Sequence, residues 1–122
     1  MIYGIMKRIK VTLKNLSNRI TKDVFVGMVE DVQREVSYKD EDGTLNYINF
    51  MNTDTLIVKR VAKDYVTNLV LNKANPGLVI KSQEGTMELP VRVLGLGIKE
   101  NRIYACYDTG EKIEIIISLI KE

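Results

Sequence analysis

The chain has 122 residues and a net charge of +2, with 45% hydrophobic and 28% charged residues. That balance is typical of one folded domain, taken as residues 1–122, and it excludes a disordered chain. The chain has no histidine and a single cysteine, Cys106, which excludes histidine bases, histidine metal sites, internal disulfides and clusters of thiolate ligands.

The sequence shows no targeting or membrane-spanning signal. Residues 1–6 are apolar but too short for a signal-peptide core, and Lys7-Arg8 follows them instead of preceding them. No uncharged run approaches the roughly 18 residues that a membrane-spanning helix requires. We therefore expect a cytoplasmic protein with no membrane span. We also expect Cys106, which falls in a predicted strand, to be a buried and unreactive thiol.

The first part of the chain reads as short strands joined by tight turns. Residues 7–16 alternate between apolar and polar side chains, which is the two-residue period of a strand with one wet face. We expect a short helical turn at residues 15–21. Asp42-Gly43 is a strong hairpin signal. Further strands are predicted at residues 24–28, 36–38, 45–50, 56–61 and 65–71, with a turn at residues 51–54.

Residues 86–119 are predicted to form three consecutive antiparallel strands, after a short strand at residues 78–81. In the first of the three, at residues 86–94, apolar side chains recur at every second position. Pro90 interrupts this strand, because proline cannot donate to a strand ladder and is expected at a bulge or an unpaired stretch. The other two strands are predicted at residues 103–107 and 113–120, and the last one is partly apolar on both faces.

A pattern of about nine short strands with closely spaced turn signals is typical of an all-β sandwich or barrel. The short connections favour pairing between strands that are neighbours in sequence. Closure of the sheet would also remove exposed strand edges. We therefore predict a single antiparallel, mainly up-and-down β-barrel of about eight to ten short strands.

Part of this pattern resembles a known family. The residues that carry the resemblance are Asp54-Thr55-Leu56-Ile57-Val58, Tyr65 with residues 69–71, Gly85-Thr86-Met87-Glu88-Leu89 leading into Val91 and Val93, Arg102-Ile103-Tyr104-Ala105-Cys106-Tyr107-Asp108, and residues 115–119. In this order they resemble the YwiB-like bacterial β-barrel proteins, over about the last two thirds of the chain. The resemblance implies a calycin-type barrel, similar in shape to lipocalins, in a family whose function is not established.

The interior of such a barrel holds either packed side chains or one small apolar ligand. Two tyrosines on the predicted inner face would give a ligand polar groups that orient it. The leading hypothesis is therefore a non-catalytic protein that binds a small apolar molecule and uses no cofactor. The predicted interior residues are Tyr65, Leu69, Leu89, Val91, Ile103, Tyr107, Ile115 and Ile117.

The charge distribution supports an alternative. Six basic residues and no acidic ones precede Asp23. Lys10 and Lys14 share the wet face of the first strand, and with Lys7 and Arg8 they form a candidate surface for an anionic partner. That partner would be RNA or an acidic protein. RNA-binding sheets usually add exposed aromatic side chains, of which this segment offers only Tyr3, so a solvated strand face is the plainer interpretation.

Two familiar motifs are incomplete. A calcium loop beginning at Asp40 would need a bidentate glutamate at the position of Met51, so we read this acidic stretch as a hairpin turn. Gly95-Leu96-Gly97 lacks the third glycine and the following helix of a nucleotide-binding fingerprint, and is read as a strand bend. The sequence therefore predicts neither a metal nor a nucleotide cofactor.

Overall fold

The computed structural model describes residues 6–30, 34–50, 54–99 and 102–119. Within these ranges the chain forms eleven β-strands, and the predicted all-β class is confirmed. No helix in the described ranges is long and apolar enough to cross a membrane. The strands are β1 (Met6–Asn15), β2 (Ile20–Glu30), β3 (Glu35–Lys39), β4 (Leu45–Asn49), β5 (Leu56–Val61), β6 (Tyr65–Leu71), β7 (Gly77–Ser82), β8 (Gly85–Leu89), β9 (Arg92–Ile98), β10 (Arg102–Asp108) and β11 (Lys112–Leu119).

The helical turn predicted at residues 15–21 is wrong. Residues 16–19 form a non-helical turn, and β2 begins directly after it at Ile20. The Oδ1 atom of Asn15 accepts hydrogen bonds from the backbone N–H groups of Ser17 at 3.0 Å and Asn18 at 3.2 Å. An asparagine side chain that bonds nearby backbone in this way favours a turn over a helix. The turn predicted at residues 51–54 lies largely outside the described residues.

The strands form a five-stranded sheet in the order β2-β1-β11-β10-β9 and a six-stranded sheet in the order β3-β4-β5-β6-β7-β8. All pairs are antiparallel, and apart from β1 with β11 each joins strands that follow one another in the chain. This order is that of the predicted meander. No ladder joins β2 to β3 or β8 to β9 among the described residues, so the prediction of one closed barrel with eight to ten strands is corrected to eleven strands in two sheets.

The strand predicted at residues 86–94 is divided at Pro90. Residues before it pair with β7 in one sheet, and residues after it pair with β10 in the other. Residues 90–91 form neither a turn nor a bend, so the chain continues from one sheet into the other. Alternation would make Gly77 and Pro90 a non-hydrogen-bonded pair, so the N–H that proline lacks would face the free edge of β8; the ladder itself stops at Leu89, next to the first residue of β7, Gly77. Strands that change sheets at a break of this kind form the corners between packed sheets.

The inner faces of both sheets share one apolar core. Val11, Ile117 and Ile103 lie side by side across three strands of the five-stranded sheet and are 0%, 3% and 2% exposed. Alternation along each strand places these residues on one face and polar residues on the other. The buried cluster consists of Ile9, Val11, Val29, Val36, Ile48, Phe50, Leu56, Val58, Leu69, Leu71, Ile103, Ala105, Ile115 and Ile117.

Replacing Leu71 with Ala should lower the free energy of unfolding by about 2–5 kcal/mol, because Leu71 is 0% exposed and its loss leaves a cavity. The matched control is Leu94→Ala, since Leu94 is 44% exposed and its replacement should change the free energy by about 0.5 kcal/mol. Urea unfolding followed by circular dichroism measures both. Equal losses in the two variants would contradict the assigned core.

Candidate ligand-binding cleft

Four of the eight predicted interior residues belong to the core between the sheets. Each is at most 6% exposed and is part of the same apolar cluster. Because protein interiors are close-packed, this part of the predicted interior is filled by its own side chains. The four residues are Leu69, Ile103, Ile115 and Ile117.

The other four predicted interior residues lie toward the edge of the core. Val91 and Tyr107 are half-buried and pack against the buried cluster. Leu89 is half-buried at the end of β8, while Tyr65 is 39% exposed. Tyr65 shares a face of β6 with Leu69 but begins the strand, where its partner is Ser82 next to the β7–β8 turn. The structure therefore does not gather all eight residues around one space.

A polar network that the sequence analysis missed lies on the inner side of the six-stranded sheet. The guanidinium of Arg60 donates from Nε to Asn46 Oδ1 at 3.0 Å and from Nη2 to Asp40 Oδ2 at 3.0 Å. Asn46 is 2% exposed, and its Nδ2 donates to the carbonyl oxygen of Thr44 at 3.2 Å. These bonds satisfy polar groups that would otherwise be costly to bury. Asn46, two residues before the buried Ile48, is the sequence signal for this network.

Two tyrosines next to this network remain neutral near pH 7. The pKa of Tyr107 is raised to about 12, chiefly by burial and to a smaller extent by the nearby Tyr38, while Arg60 opposes the shift. Burial likewise raises the pKa of Tyr38 to about 12, with Asp40 adding to the shift and Arg60 opposing it. Neither hydroxyl therefore supplies a base near neutral pH.

The four basic residues predicted to meet an anion do not share one face. Strand alternation places Arg8, Lys10 and Lys14 on the outer face of β1, while Lys7 falls on the side of the buried Ile9. Lys14 lies opposite Glu114 of β11. The positive charge of the predicted patch is thus partly neutralised by Glu114.

The register adds one basic residue to this face. Lys10 pairs with Ser118, and Ser118 pairs in turn with Arg102, so the three side chains form a row across β1, β11 and β10. Arg102 was not predictable as part of this face, because only the pairing of β11 with both β1 and β10 places it in one row with Lys10.

A cleft of 310 Å³ lies between β9 and two connections of the six-stranded sheet. Leu96 and Ile98 of β9 form one part of its lining. The connections that contain Asp54 and residues 72–74 form the rest. Within the latter, Asn72 Oδ1 accepts a hydrogen bond from the backbone N–H of Asn75 at 2.6 Å. The cleft is lined by Asp54, Asn72, Lys73, Ala74, Leu96 and Ile98.

The floor of this cleft is apolar and its rim is polar. Leu96 and Ile98 pair with the core residues Ala105 and Ile103, so their side chains continue the core face of the five-stranded sheet. The rim offers a carboxylate, an amide and an ammonium group. An apolar surface with a few polar groups is the usual composition of a small-molecule site, and such sites range from about 300 to 1,000 Å³.

The two floor residues also have backbone hydrogen-bonding groups on the outer edge of β9. The N–H of Lys99 donates to the carbonyl oxygen of Arg102 at 3.1 Å, which marks these residues as a hydrogen-bonded pair. In an antiparallel ladder hydrogen-bonded and non-hydrogen-bonded pairs alternate. The N–H and C=O groups of Leu96 and Ile98 therefore point away from β10, toward the edge of β9 that no strand pairs with in the described residues.

A wider cleft of 610 Å³ lies between β2 and the β3–β4 turn. Its lining is dominated by charged side chains and includes only one aliphatic residue, Val24. Such a surface suits water and ions better than an apolar ligand. Among the described residues, no group of three or more His, Cys, Asp or Glu side chains is placed to hold a metal ion.

Comparison with known proteins found no family model, no curated protein and no solved structure that matches the chain.

Raising the pH from 10 to 12 should destabilise the fold, because folding favours the neutral forms of Tyr38 and Tyr107. Their pKa of about 12 in the fold lies above the ordinary value of 10, so this stabilisation is complete below pH 10 and is lost as the pH rises through 12. Urea unfolding at stepped pH measures the loss. Tyr107→Phe should flatten the pH dependence, with Tyr65→Phe at an exposed position as control. An unchanged slope in Tyr107→Phe would contradict the assignment.

Proposed function

We propose that the chain is a non-catalytic binding protein, and that the cleft beside β9 holds a small, partly apolar molecule. The observation that carries this proposal is the coincidence of an apolar floor, Leu96 and Ile98, with backbone groups of the same two residues that point to an edge without a strand partner in the described part of the chain. An apolar body would lie on the floor, and an amide, carboxyl or hydroxyl group of the ligand would bond to the strand edge.

The filled core supports this location over the space among the predicted interior residues. A ligand placed beside Leu69 and Ile115 would have to displace side chains that are 6% and 1% exposed. The cleft beside β9 needs no such displacement, because its volume of 310 Å³ is already open. We also propose a cytoplasmic location and membership of the YwiB-like family. The antiparallel order of neighbouring strands agrees with the resemblance to that family, although the described strands form two sheets and not one closed barrel.

Filling the cleft should abolish binding. Ala74→Phe adds a ring at an exposed position on the rim, and Leu96→Phe adds one on the floor. The matched control is Leu94→Phe, on the same strand but 44% exposed and outside the cleft lining. Native mass spectrometry of the gently purified protein should show a small-molecule adduct in the unmodified chain and in Leu94→Phe, and none in Ala74→Phe or Leu96→Phe.

The contradicting result is an adduct that survives in both filled variants. Circular dichroism of each variant separates a filled cleft from an unfolded chain. Ala74→Phe is the decisive variant, because its side chain lies on the rim and its replacement leaves the core residues in place.

A second candidate function is binding of RNA or an acidic protein by the outer face of the five-stranded sheet. The row of Lys10, Ser118 and Arg102 favours it, because two cations lie on one face with a hydroxyl between them. Two positive charges and a hydroxyl are suited to phosphate or carboxylate groups.

Reversing both charges of this row, as Lys10→Glu with Arg102→Glu, should weaken binding of single-stranded RNA or an acidic peptide at least tenfold, because attraction becomes repulsion. Fluorescence anisotropy at low salt measures the affinity. Lys59→Glu with Lys81→Glu makes the same change of charge on the other sheet and should have a smaller effect. Equal effects of the two double variants would show a response to net charge alone and would contradict a site on this face.

A further inference from the structure

The last strand of the six-stranded sheet, β8, has one edge with no strand partner among the described residues. We propose that this edge joins two copies of the chain, with β8 of one copy pairing antiparallel with β8 of the other around a two-fold axis at Met87. This inference is independent of the ligand cleft. It assigns an interaction surface whose partner is a second copy of the same chain.

The β7–β8 hairpin determines which backbone groups are free. Ser82 pairs with Gly85 across a two-residue turn, and a bridge at that position requires that the two residues exchange hydrogen bonds. Alternation then makes Lys81 with Thr86 and Val79 with Glu88 non-hydrogen-bonded pairs. The N–H and C=O groups of Thr86 and Glu88 therefore point away from β7, toward the free edge.

A two-fold axis at Met87 satisfies all four of these groups. It places Thr86 opposite Glu88 of the second copy, and Glu88 opposite Thr86 of the second copy. Each of these two pairs exchanges both of its backbone hydrogen bonds, while Met87 faces its counterpart in a close, non-hydrogen-bonded pair. The two six-stranded sheets would thus form one continuous sheet.

The side chains agree with this register. Met87 is 57% exposed, and in the paired arrangement it covers apolar surface of its counterpart. No like charges face each other directly, since Thr86 faces Glu88, and the two Glu88 side chains are diagonal neighbours roughly 7–8 Å apart. On the same face Lys81 pairs with Thr86, so Glu88 of the second copy lies two strands from Lys81, roughly 10 Å between backbones and within reach of the two long side chains. Two attractions between Lys81 and Glu88 of the other copy therefore oppose one repulsion between the two Glu88 side chains.

The free edge of β8 has few of the features that usually protect strand edges: Glu88 is its one charged side chain, and Pro90 lies just beyond the strand. Its five residues contain no proline and no lysine, and Gly85 to Glu88 are exposed. By contrast, the pairing of β2 with β1 shifts register between Val11 and Thr12 of β1. The edge strand β2 also carries the charged residues Lys22 and Asp23, which line a cleft. A bulge and charges of that kind discourage strand addition.

Sedimentation velocity across a concentration series tests the proposal with the full chain. We expect a monomer–dimer equilibrium, and Met87→Lys should weaken dimerisation at least tenfold, because two ammonium groups would face each other on the axis. Met28→Lys is the matched control, since Met28 is 51% exposed on β2, and it should leave the equilibrium unchanged. Circular dichroism establishes that both variants fold.

The register is tested by charge reversal. Glu88→Lys should weaken the dimer several-fold, and adding Lys81→Glu should restore it. A chain that stays monomeric throughout the series, or a dimer that Met87→Lys leaves intact, would overturn the proposal. Weakening by Met28→Lys equal to that by Met87→Lys would also overturn it, because the interface would then not be specific to β8.

Discussion

The ladder between β7 and β8 ends at Leu89, directly before Pro90, a residue type that strands carry at edges and breaks. At this residue the chain leaves the six-stranded sheet and continues as β9 in the five-stranded one. The transfer leaves two strand edges unpaired in the described residues, on β8 and on β9. The edge of β9 borders the cleft beside Leu96, and the edge of β8 is open to a second copy. Both proposed contacts thus depend on one interrupted ladder.

The side chains that fill the region between the sheets differ from one end of that region to the other. Near the middle, Ile48, Leu56 and Leu71 are 0% exposed and leave no room for a ligand. Toward one end, Arg60, its partners and two neutral tyrosines replace aliphatic side chains. Toward the other end of β10, Ile103 pairs with Ile98 at the cleft. A ligand site is therefore expected where apolar side chains continue past the end of the sheet contact, and not within the core.

Local patterns predicted most of the strands because the two-residue alternation reports directly on one buried face. The bounds of β5 and β6 and the inward side of Ile103 and Ala105 follow from it. The prediction that Cys106 is buried is confirmed at 7% exposure, although it lies on the other face of β10. There the ring of Tyr104 lies against Gly95, so close that a Cβ at Gly95 would be 3.2 Å from it.

Features that depend on contacts between distant segments could not be predicted from local alternation. Alternation assigns Tyr65 to the inner face, but only the position of the sheet end shows that it is exposed. The pairing of Arg102 with Ser118, and of Ser118 with Lys10, appears only when β11 joins β1 to β10. The cleft likewise combines Asp54, Lys73 and Leu96, which share no local pattern. Pro90 marked the break in the ladder but not the sheet that the chain enters next.

The central claim is that the cleft beside β9, and not the core, is the ligand site. Chemical-shift mapping on the isotopically labelled full chain, titrated with a library of small, partly apolar compounds, tests it most directly. The account predicts that binding compounds shift the backbone amides of Asn72, Lys73, Leu96 and Ile98, the residues that line the cleft. Shifts centred on Leu69, Ile115 and Ile117, with the cleft amides unchanged, would contradict it.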